Sequence, residues 1–144
     1  MEIVRQILES KGTDVWTIKP ESTIYDALKL MAEKGVGALL VMEGESVKGI
    51  FSERDYARKV VLKGKTSRET LVHEAMSSNV IYVGPAMGIE ECMALMIDKR
   101  IRHLPVLNEG KLVGLISIGD VVKAVIGEKK FMIEQLIHYI TGNR

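Results

Sequence analysis

Two segments place chemically useful residues in the same order. Gly49-Ile50-Phe51-Ser52-Glu53-Arg54-Asp55 and Gly114-Leu115-Ile116-Ser117-Ile118-Gly119-Asp120 both read Gly, two apolar residues, Ser, two variable residues, Asp. The apolar residues suit the end of a strand, and Ser followed by Asp three positions later suits the start of a helix. One reading is structural: Ser caps the helix while Asp completes a capping box and complements the helix dipole, with no ligand required. The other is chemical. A carboxylate at such a junction can accept two hydrogen bonds from a ribose diol, and the Ser hydroxyl and helix N-terminus can donate to a phosphate. Gly49 and Gly114 would then let a ring or sugar approach the backbone. The two readings are compatible, and both stay open.

Cations near these junctions differ between the copies. Arg54 and Arg58, spaced i,i+4 on a predicted helical face, align with Gly119 and Lys123, whereas Arg102 and His103 align with Gly37 and Ala38. Arg clamps phosphate through a planar fork where Lys offers a point charge. Two such sites should be unequal, and at least one should favour a phosphorylated ligand over a bare nucleoside. A plainer alternative pairs Arg54 and Arg58 with Glu53 or Asp55 on the surface, worth about 0 to 1 kcal/mol, and packs His103 in the core. Arg102 lies near Lys99 and Arg100, a run of like charge that favours a nearby anion.

Other chemistries find little support. An activated nucleophile is missing: Cys92 falls on a helical apolar stripe, which suits a buried small hydrophobe, and no Gly-x-Ser-x-Gly elbow, Walker loop or His-Glu-x-x-His occurs. His73, His103 and His138 have no metal-ligand spacing. The expectation is a non-enzymatic protein with no metal and no catalytic cofactor.

The elements that must position the junctions follow from an internal repeat. Aligning Val15 with Val80 keeps one register without a gap through Leu62 and Gly127, with identities at Pro20/Pro85, Leu30/Leu95, Met31/Met96, Leu39/Leu104, Val41/Val106, Gly49/Gly114, Ser52/Ser117 and Asp55/Asp120. In each copy a short extended run (Val15 to Ile18, Val80 to Val83) precedes a helical stripe: Ile24, Ala27, Leu28 and Met31, or Ile89, Cys92, Met93 and Met96. Ser22 or Thr23 caps the first. A hairpin follows, turning at Glu43-Gly44-Glu45 or Asn108-Glu109-Gly110, and then a second helix, from about Glu53 to Leu62 or Ile118 to Ile126. Each copy is β-α-β-β-α, the fold class is α/β (α+β), and the copies should pack on each other. The chain divides into a first motif over 8–63, a linker with a short helix over 64–79, a second motif over 80–127, and a C-terminal amphipathic helix over 128–144. The apolar face of that last helix, Met132 to Ile140, should dock on the body or on a second subunit.

The whole fits 144 residues with 47% apolar content, enough for one domain or two very small ones. Twenty Lys plus Arg against nineteen Asp plus Glu leave a formal charge of +1, which disfavours a nucleic-acid partner. No apolar run reaches the roughly 20 residues that cross a bilayer, and Met1-Glu2-Ile3-Val4-Arg5-Gln6 suits an amphipathic helix better than a signal sequence. A single Cys agrees with a reducing compartment. A cytoplasmic protein without a membrane partner is expected.

The β-α-β-β-α order, the Pro after the first strand, Leu104-Pro105-Val106 and the two Gly-to-Asp junctions resemble tandem cystathionine-β-synthase (CBS) motifs across essentially the whole chain. Met31 to Val41 and Ser52 to Val61 are similar to small stand-alone bacterial CBS pairs. The resemblance implies a pseudo-two-fold pair, a Bateman module, whose clefts bind adenosine-containing ligands. It implies that Asp55 and Asp120 hold ribose hydroxyls, and that Ser52 and Ser117 help hold phosphate, with Arg102 and His103 facing it. Val15, Thr17, Ile18, Val80 and Tyr82 would line the adenine pocket. The implied ligand is AMP, ATP or NAD(H), the Arg residues favouring AMP or NAD(H) over S-adenosylmethionine. Output would pass through a homodimer or a separate effector protein. The rival reading is a structural docking or dimerisation module with vestigial clefts.

Overall fold

The computed structural model describes residues 3–141. In chain order the elements are α1 (Val4–Lys11), β1 (Thr17–Ile18), α2 (Ile24–Lys34), β2 (Ala38–Glu43), β3 (Ser46–Ser52) and α3 (Glu53–Tyr56), which runs into a π-helical turn (Ala57–Val61). Then come α4 (Val72–Ala75), α5 (Ile89–Lys99), β4 (His103–Asn108), β5 (Lys111–Ser117) and α6 (Ile118–Thr141). Two compact units result, Val15–Val80 and the described residues through Asp14 together with those from Ile81 onward.

Val15–Val80 builds a three-stranded sheet in the order β1-β2-β3. Thr17 of β1 lies opposite Leu40 in a parallel pair, and Ala38 of β2 lies opposite Ser52 of β3 in an antiparallel pair. The crossover between the parallel strands is α2, as the parallel geometry demands. Thr23 starts it by accepting the Asp26 N–H at 3.1 Å. Gly35 ends it at φ 65, a left-handed conformation that costs little without a Cβ. Ile24, Ala27 and Met31 of α2 bury against Leu39, Val41 and Phe51 of the sheet, with Val72 and Ala75 of α4 in the same core.

The other unit repeats this plan. Its hairpin pairs His103 with Ser117 at one end and Asn108 with Lys111 at the other. The strand expected at Val80 to Val83 contracts to one parallel bridge, Val83 to Val106, and β1 is likewise shorter than the expected Val15 to Ile18. Cys92 is completely buried in this core, beside Met96, Leu104 and Ile116. Burial and the neighbouring Glu91 push its thiol up to about 11. That leaves it a neutral small hydrophobe.

The helix completing this core is α1, from the start of the chain: Val4, Ile7 and Leu8 join Val83, Val106 and Ile116. It matches α4 bond for bond. Val4 N–H donates to Met87 O and Arg5 N–H to Pro85 O, both at 2.9 Å, as Val72 N–H donates to Ser22 O and His73 N–H to Pro20 O. Gln6 Oε1 accepts the Ile3 N–H at 2.7 Å, as Glu74 Oε2 accepts that of Leu71. Each core is thus closed by a short capped helix. The expected start of the first motif at residue 8 falls inside α1.

The C-terminal half corrects one expectation. The sequence pattern predicts separate helices over 118 to 126 and from 128 onward, but α6 is one helix through Gly127. A single glycine weakens a helix without breaking it, and Glu128, Lys129 and Lys130 after it are good helix formers. Beyond Glu128, Phe131, Met132, Ile133, Leu136, Ile137 and Ile140 are all exposed and take no part in the core of their own unit.

Candidate functional site

Both Ser–Asp pairs sit where a β-strand passes directly into a helix. Ser52 ends β3 and Asp55 is the third residue of α3; Ser117 ends β5 and Asp120 is the third residue of α6. Ser52 Oγ accepts the Asp55 N–H at 3.2 Å, and Ser117 Oγ accepts the Asp120 N–H at 3.2 Å. In return Asp55 Oδ2 accepts the Ser52 N–H at 3.0 Å and Asp120 Oδ2 accepts the Ser117 N–H at 2.8 Å. The capping chemistry expected of these spacings is therefore present at both junctions.

Beyond the cap the junctions diverge. Asp55 is 8% exposed. Its Oδ2 also accepts a hydrogen bond from Ser52 Oγ at 3.0 Å and its Oδ1 one from Ser77 Oγ at 3.0 Å, while Lys59 Nζ forms an ion pair with Oδ1 at 3.2 Å. Three hydrogen bonds and one ion pair thus surround this carboxylate. Asp120 meets Lys11 instead, whose Nζ lies 2.7 Å from Oδ2 and donates also to Leu115 O at 3.0 Å. Partial burial alone would raise the Asp120 pKa; hydrogen bonds from Lys11 and Ser117 and the charge of Lys11 outweigh it and hold the carboxyl below its ordinary value.

Asp120 fronts a groove of about 610 Å3 walled by α1 and α6. Lys11, Gln6 and Ser10 line one wall, and Lys123, Gly127, Glu128 and Phe131 the other.

The other candidate residues are spread over both units. Thr17 and Ile18 lie in β1 beside Leu40 and Val41, with Val15 just before them. Arg54 is half-buried in α3 and Arg58 exposed in the π-helical turn, so the two differ in burial despite their spacing. His103, half-buried, opens β4 opposite Ser117. Exposed Arg102 precedes it and accepts the Ile118 N–H through its carbonyl at 2.8 Å. Tyr82 is exposed beside Val83, whereas Val80 closes the other compact unit. The segment Val80 to Val83 is thereby split.

The reading of the junction glycines needs correction. A Cβ on Gly49 would stand 2.7 Å from Ser77 O and 2.9 Å from Met76 Sδ, and one on Gly114 would stand 2.6 Å from Leu8 Cδ2. The close approach that excludes a side chain is made by the protein's own chain after α4 and by α1, not by a sugar or ring. Sequence reasoning also passed over Lys59, Ser77 and Lys11. Lys59 carries a local signal, i,i+4 from Asp55; Ser77 and Lys11 reach their carboxylates only through folding.

Among the described residues no cluster of His, Cys, Asp or Glu could hold a metal ion, and no helix is long and apolar enough to cross a membrane.

Comparison with known proteins agrees with this architecture. The CBS domain profile matches residues 4–62 and 72–127, so each match begins at α1 or α4. A protein from Burkholderia ambifaria, described as a candidate signal-transduction protein with CBS domains, is 55% identical; the superposition covers 88% of this chain and 95% of that one with a TM-score of 0.85. The mitochondrial CBS domain-containing protein CBSX3 of Arabidopsis thaliana is 38% identical, over 96% of this chain and 72% of its own length. A hexameric CBS-CP12 protein from bloom-forming cyanobacteria is 32% identical, with 85% of this chain and 70% of that chain covered and a TM-score of 0.75. The chain belongs to the CBS domain family, as a tandem pair of the regulatory, signal-transduction kind.

Proposed function

We propose that this CBS pair senses an adenine nucleotide, AMP, ATP or NAD(H), at its strand-to-helix junctions and transmits occupancy through association, with a second copy or with a separate effector protein. The observation that carries the reading is the Ser117–Asp120 junction. It combines a carboxylate held ionised, a capped helix N-terminus and cations on two helices around an open groove. A diol needs the first and a phosphate the others. Ser52 and Asp55, with Arg54 and Arg58, form the second candidate junction, and Arg102 and His103 add positive or ring nitrogen donors beside Ser117. Thr17, Ile18, Val15, Val80 and Tyr82 are the candidate adenine contacts. No step of bond making or breaking is assigned; CBS pairs of this kind act as regulatory modules.

A ligand can act on association only through different affinities for the two association states. The exposed apolar residues of α6 between Phe131 and Ile140 supply a surface on which such states could differ. The same face, with the enclosed Asp55 carboxylate, favours the second reading: a docking module whose junctions are purely structural. Thermal unfolding separates them, because a ligand that binds only the folded protein raises the midpoint. A rise with AMP, ATP or NAD(H) at millimolar concentration supports the sensor. No rise with any of them, or with S-adenosylmethionine, supports docking alone. Mass spectrometry of the small molecule that co-purifies identifies the ligand.

A further inference from the structure

The distal part of α6 lies outside the CBS motifs. The family profile stops at residue 127, whereas α6 runs on to Thr141. Packing within its own unit does not account for that extension: Val121 is its one buried residue, and among the described residues none after Val125 joins the core. A helix in water draws most of its stability from packing an amphipathic face, so this stretch calls for a partner.

The face has the spacing of a two-helix seam. Ile126, Ile133 and Ile140 recur every seven residues, and Val122, Lys129 and Leu136 stand four residues before each. These are the two core positions of a heptad. Met132 and Ile137 flank the seam, and every one of these apolar residues except Val122 is more than half exposed. Together they present roughly 700 Å2, more than a free monomer usually leaves in one apolar patch and near the ~800 Å2 that each partner gives a standard interface.

Charge selects the direction of pairing. Parallel α6 helices would set Lys129 and Lys130 of one chain against the same residues of the other and align the two helix dipoles. Antiparallel helices turn those lysines toward the last turn of the opposite helix, where the dipole is negative. The apolar layers then match as well. Val122 meets Ile140, Ile126 meets Leu136, and Lys129 lays its methylene stem beside Ile133 while its ammonium reaches water.

We propose that the occupant of this face is the α6 of a second copy, running antiparallel, with Ile126 of each chain against Leu136 of the other. The proposal rests on the association part of the reading above and supplies its partner, direction and contacts.

Cross-linking of the full chain tests it, using Ile126→Cys and Leu136→Cys, both at exposed positions, while the native Cys92 is buried. In the antiparallel pair the two copies of residue 126 lie about 15 Å apart along the helices, as do those of residue 136, whereas a disulfide needs Cα atoms within about 7 Å. Oxidation with copper phenanthroline should therefore link the chains at least 10-fold more in a mixture of the two variants than in either alone. Light scattering of the unmodified protein should give the mass of two chains or a multiple of it. Equal linking in each variant alone overturns the antiparallel pair, as does a mass of one chain or the absence of linking in every sample. If the pairing fails, a rise in unfolding midpoint with AMP, ATP or NAD(H) leaves nucleotide sensing standing. If the mixture links and no nucleotide raises the midpoint, the pairing holds and the nucleotide reading alone is rejected.

Discussion

Lys11 Nζ and Asp120 Oδ2 stand 2.7 Å apart across 109 residues of chain. Lys11 is the last residue of α1 and Asp120 lies in the first turn of α6, so one ion pair joins α1 to the second junction. At Asp55 the corresponding charge comes from Lys59, one turn away on the same helical segment. Equivalent carboxylates are thus neutralised by a distant cation in one copy and a local one in the other.

This pair predicts an acid-dependent stability difference. Replacing Lys11 by Met keeps the apolar stem and removes the charge, and should cost about 0.5 to 1 kcal/mol near neutral pH, the scale of a partly exposed pair. The Asp120 pKa is lowered in the folded state, so its contribution is complete above the ordinary carboxylate pKa of about 3.9 and is lost as pH falls through the folded value. Urea unfolding of both proteins should therefore show a gap at pH 7 that closes as pH falls below the ordinary carboxylate range. A gap independent of pH would remove the ion pair as its source.

Asp55→Ala and Asp120→Ala should separate stability from binding. Removing Asp55 strands the Ser52 and Ser77 donors and the Lys59 charge around a buried site, and should cost about 2 to 3 kcal/mol in denaturant unfolding. Removing Asp120 should cost about 1 kcal/mol, yet weaken AMP binding more than Asp55→Ala does. Equal, negligible losses of affinity would remove both from the binding site.

Gly49→Ala and Gly114→Ala test whether the chain's own packing requires these glycines. At Gly49 the nearest atom to a new Cβ is a backbone oxygen, Ser77 O, while at Gly114 it is the end of the Leu8 side chain. Overpacking costs about 1 to 3 kcal/mol, and Gly49→Ala should fall at the upper end. Leu8→Ala should partly rescue Gly114→Ala, read as a coupling energy in a double-mutant cycle. Additive losses would show that Leu8 is not what excludes the side chain.

Association should depend on the far end of α6. Leu136 and Ile140, one turn apart, are 58% and 78% exposed. Changing both to Glu should lower the oligomeric mass measured by light scattering while leaving the unfolding of the cores intact. An unchanged mass would place the contact elsewhere.

The repeat and the β-α-β-β-α order were legible because each hydrophobic period is local: the helical stripe of Ile24, Ala27 and Met31, and the strand run ending at Val41, need no distant partner to be recognised. The Ser–Asp caps were legible for the same reason. Lys11 was not, because nothing near it in sequence marks it as the neighbour of Asp120. The kinship of Ile3-Val4-Arg5-Gln6 with Leu71-Val72-His73-Glu74 was also hidden, since it lies outside the register that aligns Val15 with Val80. At Gly127 the local signal misled: glycine marked a boundary, but the helix formers Glu128, Lys129 and Lys130 after it carry the backbone ladder onward. The π-helical turn after Tyr56, with its Leu62 N–H to Ala57 O bond at 3.1 Å, has no comparable mark in the residues that form it.

The placement of α1 with the second copy means that the halves of the gene do not encode matching pieces. A fragment spanning Val15–Val80 carries α4 as its own lid, whereas one beginning at Ile81 would lack the cover over Gly114 and the counter-ion of Asp120. A protease cut or deletion within α1 is therefore felt in the second copy.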